Sequence, residues 1–212
     1  MSQNTSHAVM SQRVEASDSL DHFPTPPWAT RALCEQLRLD HKPLGKLSCW
    51  EPACADGHMS RPLSEYFGDV FSSDIHDYGF GSVEDFLGDG PAIADGFDWI
   101  ITNPPFRLGL QFADTALLRA RKGVALLVRT AFLESSERFL NLFSIEPPST
   151  IYQFVERVPM FKGRLDQRGS TATAYCWIVW TKPNKYDPRF SWIPPCRKRL
   201  ERADDYPAEG LS

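Results

Sequence analysis

The run at residues 97–102 constrains the fold of this chain most, because it is apolar almost throughout and stops at two prolines. It reads Phe-Asp-Trp-Ile-Ile-Thr and is followed by the tetrapeptide 103–106, Asn-Pro-Pro-Phe. A second uninterrupted apolar run lies at 124–128. Short runs of this kind are typical of strands buried on both faces of a parallel sheet. The chain therefore favours an α/β fold.

Other segments of the chain are predicted to form strands and helices in alternation. Further strands are predicted at 47–50, 69–74, 151–158 and 172–181, and helices at 27–39, 110–120 and 130–143. Thr25 is a candidate cap for the first helix, since Pro26 and Pro27 follow it. Strands that alternate with helices predict a parallel sheet covered by helices.

The length of 212 residues predicts one domain, at 23–195. We expect a disordered, polar N-terminal lead at 1–22 and a charged C-terminal tail at 196–212. The five cysteines are scattered without a Cys-x-x-Cys pair, which favours a reducing compartment and argues against a structural zinc site or other metal. No apolar stretch is long enough for a membrane span and no signal-peptide core is present, so a cytoplasmic location without a membrane partner is expected.

Charge is divided unevenly along the chain although the net charge is only −4. Residues 1–118 carry 7 basic and 17 acidic side chains, whereas residues 119–202 carry 16 basic and 7 acidic ones. A chain polarised in this way can present a positive face to a phosphate backbone while remaining acidic as a whole. The alternative is a solvated surface without a partner, and charge alone does not separate the two.

Acidic and small residues follow the predicted strands at the ends where ligands bind in open α/β sheets. Small residues at 51–57, Glu-Pro-Ala-Cys-Ala-Asp-Gly, let the backbone approach a ligand. Asp74 ends the second strand, where a carboxylate can accept hydrogen bonds from a ribose diol. Asp85 precedes Phe86, a pair suited to an adenine amine and ring. Each acid alone is typical of a solvated loop, but the three features occur in order.

Four segments together resemble a known family. Thr25-Pro26-Pro27, Glu51-Pro52-Ala53-Cys54, Asp85-Phe86-Leu87 and Asn103-Pro104-Pro105-Phe106 occur in the order found in the gamma group of S-adenosylmethionine (SAM)-dependent adenine-N6 DNA methyltransferases. The resemblance covers about residues 23–181. It implies a Rossmann-like methyltransferase fold with a mostly parallel seven-stranded sheet flanked by helices. One departure is Ala55, where many members have glycine.

The resemblance also implies SAM as the cofactor. The residues expected around it are Thr25, Glu51, Pro52, Ala53, Gly57, Asp74, Asp85 and Phe86.

The tetrapeptide is the expected catalytic site, comprising Asn103, Pro104, Pro105 and Phe106. The side-chain oxygen of Asn103 and the carbonyl of Pro104 can accept the two N–H bonds of a planar amine, and Phe106 can stack on its ring. A rigid turn, with Asn103 capping backbone groups and Phe106 in the core, is the structural alternative.

A basic loop at 159–171 is the expected substrate contact. Lys162, Arg164 and Arg168 can meet phosphates, and Phe161 can form a second wall of the base pocket. An ordinary basic surface loop is the alternative. We expect no room for a separate target-recognition domain of ~100 residues. Specificity for a target sequence must then come from this loop and the tail or from a partner subunit. Otherwise the sequence specificity is relaxed.

The predicted partner is DNA, with RNA as an alternative substrate. A protein glutamine amide is a further alternative acceptor, since similar motifs serve it. A binding protein that keeps the fold without catalysis is the rival from a different class.

Overall fold

Strands and helices alternate through the parts of the chain that the computed structural model describes, which are residues 21–40, 43–88, 96–183 and 187–206. The expected disordered lead lies outside these residues except for its last two positions. The strands are β1 (Ser48–Glu51), β2 (Asp69–Asp74), β3 (Ser82–Val83), β4 (Trp99–Thr102), β5 (Gly123–Arg129), β6 (Thr150–Phe154), β7 (Tyr175–Thr181) and β8 (Arg189–Ile193). The helices are α1 (Pro27–Asp40), α2 (Ser60–Leu63), α3 (Gly109–Arg119), α4 (Ser136–Arg138) and α5 (Arg197–Leu200).

All of these strands belong to one sheet, in the order β3-β2-β1-β4-β5-β7-β6-β8. Among them, only β7 is antiparallel to its neighbours. The chain moves outward from β1 to β3 and then returns to lay β4 on the other side of β1, which creates a switch point between β1 and β4. The predicted α/β class and mostly parallel sheet are confirmed.

The sheet has eight strands rather than the seven expected. The additional strand in the described ranges, β8, pairs parallel to β6 at the sheet edge. Its pattern of burial explains why it carries no signal in the sequence, because only Ile193 is buried while Phe190 and Trp192 are exposed. A strand with one buried side chain produces no apolar run, and its two aromatic residues are too few to establish an alternation.

Each face of the sheet carries its own apolar core. Trp99 and Ile101 pack with α1 on one face, and Ile100 packs with α3 on the other. Because side chains alternate along a strand, residues two apart share a face. Leu127 of β5 lies on the α1 face, so Arg129 is directed to that face as well.

The helix predicted at 130–143 is wrong as a single element. The segment forms a 3-10 turn at Thr130–Leu133, the short helix α4 and a π-turn at Phe139–Phe143. Ser135 interrupts it in an extended conformation, and its hydroxyl accepts a hydrogen bond from the backbone N–H of Arg138 at 3.3 Å. Serine favours such a cap over a helix interior, which explains the break.

Residues 196–206, expected to form part of a charged tail, are docked onto α1. Cys196 and Leu200 are buried in the same core as α1. The guanidinium of Arg31 donates to both carboxylate oxygens of Asp205 at 2.8 Å and also binds Glu65. Residues 207–212 lie outside the described part. No helix within the described ranges is long and apolar enough to cross a membrane.

Candidate cofactor and acceptor site

A cavity of about 440 Å³ opens at the carboxyl ends of β1, β2 and β4. Most residues predicted as cofactor or catalytic residues line it: Thr25, Glu51, Pro52, Ala53, Asp74, Asp85, Phe86, Asn103 and Pro105. The sheet order explains this grouping, since the ends of parallel strands meet at one edge. Pro104 and Phe106 line a second, adjoining cavity of about 190 Å³, which shares Pro105 with the first.

The turn after β1 has the tight shape predicted for a ligand loop. Ala55 has a φ of 42° and Gly57 a φ of 78°, so both adopt the left-handed region. The backbone N–H of Ala55 donates to Oδ2 of Asp74 at 3.0 Å. A Cβ on Gly57 would lie 2.4 Å from the ring of Phe80. Gly57 therefore shapes the loop, and it does not itself line the cavity.

Glu51 is a buried carboxyl group at the floor of this cavity. Its Oε2 accepts a very short hydrogen bond from the hydroxyl of Ser60, which in turn accepts one from Ser72 at 2.7 Å. Burial raises the pKa of Glu51 to about 8, an effect that the Ser60 hydrogen bond opposes and the charge of Asp74 reinforces. A cationic group near this carboxyl would favour its ionised form.

Aromatic rings form one wall of an apolar slot at the side of the cavity. The buried ring of Phe86 contacts Trp50 edge-on, with 5.0 Å between centroids, and Phe112 at the same separation. Asp85 stands at the mouth of this slot, where its Oδ1 accepts the backbone N–H of Leu87 at 3.0 Å. The arrangement offers a flat apolar surface beside a carboxylate, which suits a purine ring with an amino group.

Asn103 lies where the cavity meets the α1 face of the sheet. Its Nδ2 donates to the backbone carbonyl of Phe23 at 3.0 Å and lies 3.9 Å from the sulfur of Met160. The carbonyl partner fixes which end of the amide is nitrogen, because an oxygen there would face another acceptor. The buried Oδ1 of Asn103 has no hydrogen-bond partner among the described residues. An orphaned buried acceptor of this kind costs about 1–3 kcal/mol.

The segment Asp21–Thr25 crosses the site. Its first two residues belong to the lead that the sequence predicts to be disordered. Oδ2 of Asp21 accepts the backbone N–H of Phe106 at 2.5 Å, and the carbonyl of His22 accepts that of Gly163 at 2.8 Å. Nε2 of His22 also lies 3.1 Å from a carboxylate oxygen of Asp56 in the turn after β1. His-Phe-Pro ahead of Thr25 is the available signal, since an aromatic residue between a histidine and a proline is unusual for a solvated lead.

Phe106 has two close neighbours around its ring. The ring of Phe23 is tilted against it, with 4.9 Å between centroids, and the guanidinium of Arg129 lies 3.7 Å above its centre. Phe106 is partly buried and packs against the α1-side core. The stacking surface expected of this residue is therefore present and is covered by Arg129.

The basic loop residues predicted as substrate contacts do not line either cavity. They are Phe161, Lys162, Arg164 and Arg168. The ring of Phe161 packs within its own loop, against Gly169 and under the guanidinium of Arg164 at 5.4 Å. Arg197 and Arg199 in the tail pair with Glu201 and Glu35. The role of these residues in binding a substrate stays a prediction.

The residues of the larger cavity fit SAM. Four acidic side chains line it, from Asp21, Glu51, Asp74 and Asp85, which suits a ligand with a sulfonium, an ammonium group and a ribose diol. The apolar slot beside Phe86 and Phe112 suits its adenine ring. Among the described residues, no group of three or more histidine, cysteine or acidic side chains is placed to hold a metal ion.

Comparisons with solved structures identify proteins of similar fold. The modification subunit of a candidate type I restriction enzyme from Vibrio vulnificus YJ016 is similar in structure, with a TM-score of 0.54 and 16% identity over 89% of this chain. A candidate RNA methyltransferase from Pyrococcus horikoshii has a TM-score of 0.56 and 15% identity, covering 76% of this chain and 87% of its own. The 23S rRNA methyltransferase ErmE has a TM-score of 0.51 and 13% identity, covering 75% and 69%.

These similarities show that the chain has a Rossmann-like methyltransferase fold. The chain spans 50% of the length of the Vibrio protein. No known family profile matches the sequence. No curated protein matches it either.

Proposed function

We propose that this protein is a SAM-dependent methyltransferase that methylates the N6 amino group of adenine in DNA. The observation that carries the proposal is the divided amide of Asn103, by which we mean that its nitrogen is paired and its oxygen is not. Its nitrogen is committed to the carbonyl of Phe23, and its oxygen is a buried acceptor without a partner among the described residues, next to the cavity that fits SAM. Buried polar groups are normally paired, so we infer that this acceptor receives an N–H from the substrate. The gamma-type motif order remains a prediction from the sequence.

The chain's own residues provide alignment and electrostatics. When bound, SAM supplies an electrophilic methyl group and a good leaving sulfide. The adenine N6 lone pair is delocalised into its ring, so the amine is a weak nucleophile. Asn103 Oδ1 and the carbonyl of Pro104 can accept its two N–H bonds, which favours a more localised lone pair. Pro104 has no N–H of its own, so it presents an acceptor without a competing donor.

A covalent mechanism through a cysteine does not fit the site. Cys54 is the cysteine that lines the cavity, and burial, with smaller effects from Glu51 and Asp74, raises the pKa of its thiol to about 12. A thiol of that pKa is protonated at neutral pH and is a poor nucleophile. This supports direct transfer to the amine rather than transfer through an enzyme-bound intermediate.

Nucleic acid is the acceptor class that the charge distribution favours. The second half of the chain carries a surplus of basic residues, and β5 and the basic loop, which approach the acceptor side, belong to it. The structurally similar proteins include a restriction-modification subunit and methyltransferases of RNA and rRNA. An adenine inside a duplex is out of reach, so the base must be flipped out or offered in a single strand. RNA is the alternative acceptor.

Labelled-methyl transfer tests the proposal. The protein is incubated with methyl-labelled SAM and, in parallel, with single- and double-stranded DNA, RNA and a protein mixture. DNA that has gained label is digested to nucleosides. The expected product is N6-methyldeoxyadenosine. Label in protein alone would overturn the nucleic-acid assignment, and the absence of SAM binding in calorimetry would overturn the enzyme assignment.

Target recognition belongs to the same proposal. The basic loop at 159–171 and residues 196–206 supply the specificity of the chain, or a partner subunit supplies it, as the name of the Vibrio protein suggests for a longer assembly. Mapping methylated adenines with the protein alone separates these cases. A defined recognition sequence supports the first, and scattered sites support the second. A cytoplasmic location remains a prediction.

A further inference from the structure

The guanidinium of Arg129 covers one face of the Phe106 ring. The distance from its carbon to the ring centre is 3.7 Å, which is within the range of a cation–π contact. Arg129 is the last residue of β5 and is exposed. Phe106 follows β4, the neighbouring strand. Two adjacent strand ends therefore bring a planar cation onto the ring that the proposed reaction uses for stacking.

Among the described residues, few other contacts hold Arg129 in this position. It lies opposite Tyr175 in the pairing of β5 with β7, and it opposes the rise that burial causes in the pKa of the Tyr175 hydroxyl. Arg138, which borders the same small cavity, is different: its guanidinium donates to the carbonyls of Phe132, Ala131 and Glu134. Arg138 therefore has a structural role in closing a turn, whereas the neighbours of Arg129 among the described residues are the Phe106 ring and Tyr175.

A base and the guanidinium cannot occupy the same face of Phe106. Both are flat, and both stack at about the same separation. If the target base stacks on Phe106 and reaches Asn103, Arg129 has to leave the ring. The cavity of about 190 Å³ that Arg129 borders contains Pro104, Pro105 and Phe106, so the displaced cation remains at the rim of the acceptor site.

We propose that Arg129 is a positioning residue that occupies the stacking face of Phe106 until the target base replaces it, and that its charge then binds the phosphate adjoining that base. The inference rests on the proposed function. It narrows the acceptor to a base carried on a phosphate chain. A glutamine amide or a free nucleoside offers no such phosphate and would leave the displaced cation uncompensated.

Salt dependence of binding tests the proposal without requiring catalysis. Binding of a fluorescein-labelled, single-stranded 20-nucleotide oligodeoxyadenylate is measured by anisotropy at several salt concentrations, with SAM present. Each phosphate contact contributes about 0.7 to the slope of log K against log[salt] for a single strand. We expect Arg129→Gln to lower the slope by about this amount, and Arg129→Lys, which keeps the charge, to retain the wild-type slope.

Arg38→Gln is the matched control. Arg38 is exposed at the end of α1, away from the acceptor site, so this substitution removes the same charge without touching that site. It should leave the slope unchanged. An unchanged slope in Arg129→Gln, or an equal loss in Arg129→Lys, would overturn the inference. Thermal unfolding of each variant checks that it is folded.

The two proposals can fail separately. If the slope changes as expected but no methyl is transferred by the wild-type protein, the proposed function fails and the phosphate contact stands. If the wild-type protein methylates DNA and Arg129→Gln keeps both its slope and its KM for the oligonucleotide, the role of Arg129 fails and the proposed function stands.

Discussion

The backbone N–H of Ala55 donates to Oδ2 of Asp74 at 3.0 Å, and this bond ties the turn after β1 to the end of β2. The φ of Ala55 is 42°, in a region that costs a residue with a Cβ roughly 1–2 kcal/mol. The carboxylate of Asp74 thus stabilises a backbone conformation that alanine disfavours. This explains how the turn keeps its shape with alanine at a position where many members of the family that the sequence resembles have glycine.

Replacing Ala55 by glycine should therefore stabilise the protein. The strain of the left-handed conformation is removed, while the greater freedom of glycine in the unfolded chain offsets part of the gain. We expect the free energy of unfolding to rise by up to about 1 kcal/mol in urea titrations. Ala203→Gly is the control, since Ala203 is exposed and lies away from the site. A destabilised Ala55→Gly variant would contradict the inference that the backbone is strained at Ala55.

Glu51→Gln should change how stability depends on pH. The folded-state pKa of Glu51 is about 8, raised by burial from an ordinary value of 4.5. Between these values the folded protein holds a proton that the unfolded chain has lost, so stability falls as pH rises, by roughly 1.4 kcal/mol per unit. Glu51→Gln has no carboxyl group to ionise, so its free energy of unfolding does not fall in this way.

Urea unfolding at pH 5, 6, 7 and 8 measures the effect. The advantage of Glu51→Gln over the wild type should grow with pH through this window. His58, whose pKa burial lowers, is present in both proteins and cancels in the comparison. Glu84→Gln, at an exposed position, should run parallel to the wild type. Parallel curves for Glu51→Gln itself would mean that the carboxyl is already ionised in the folded state.

Asn103→Ala should abolish most methyl transfer while keeping the cofactor. Losing one aligned polar group of this kind lowers kcat by about 10²–10³-fold. SAM affinity by calorimetry should change by less than about threefold, because the cavity keeps its carboxylates and its aromatic slot. Asn141→Ala, in the exposed π-turn at Phe139–Phe143, is the control. If Asn103→Ala loses SAM binding and activity together, the residue serves the cofactor rather than the acceptor.

Asp205→Ala should destabilise the protein, because it leaves a buried guanidinium with fewer partners. The side chains of Arg31 and Asp205 are only 5% and 4% exposed. Breaking a buried pair costs about 3–5 kcal/mol, and the remaining contact of Arg31 with Glu65 lowers that to about 2 kcal/mol. The exposed pair of Arg199 and Glu35 provides the contrast, and Glu35→Gln should cost less than about 1 kcal/mol. Equal losses in urea unfolding would show that burial of the Arg31 pair is unimportant.

Buried strands, and the site positions that depend on them, are the part of the structure that the sequence predicted best. β1, β2, β4 and β5 lie within two residues of the bounds predicted for them, so the positions of Glu51, Asp74 and Asn103 at one edge of the sheet could be inferred from the order of the elements. Their grouping around one cavity needed no knowledge of individual side-chain contacts.

The features that the sequence did not reveal depend on contacts between distant residues. The partner of Asn103 Nδ2 is a backbone carbonyl 80 positions away, and a carbonyl leaves no trace in residue type. Arg129 on Phe106 is similar, since an arginine after an apolar run is typical of a strand that emerges into solvent. β8 has too few buried side chains to form a pattern.

The divided amide of Asn103 gives the site a polarity. A ligand that offers a carbonyl oxygen instead of an amine, as guanine does at position 6 and thymine at position 4, would place acceptor against acceptor and leave Oδ1 without a hydrogen-bond donor. That mismatch costs about 1–3 kcal/mol, or roughly five- to 150-fold in occupancy. The hydrogen bond to the Phe23 carbonyl prevents the amide from rotating by half a turn to present its nitrogen to such a ligand. Under the proposed function, this preference would distinguish an amine from a carbonyl before the methyl group is transferred.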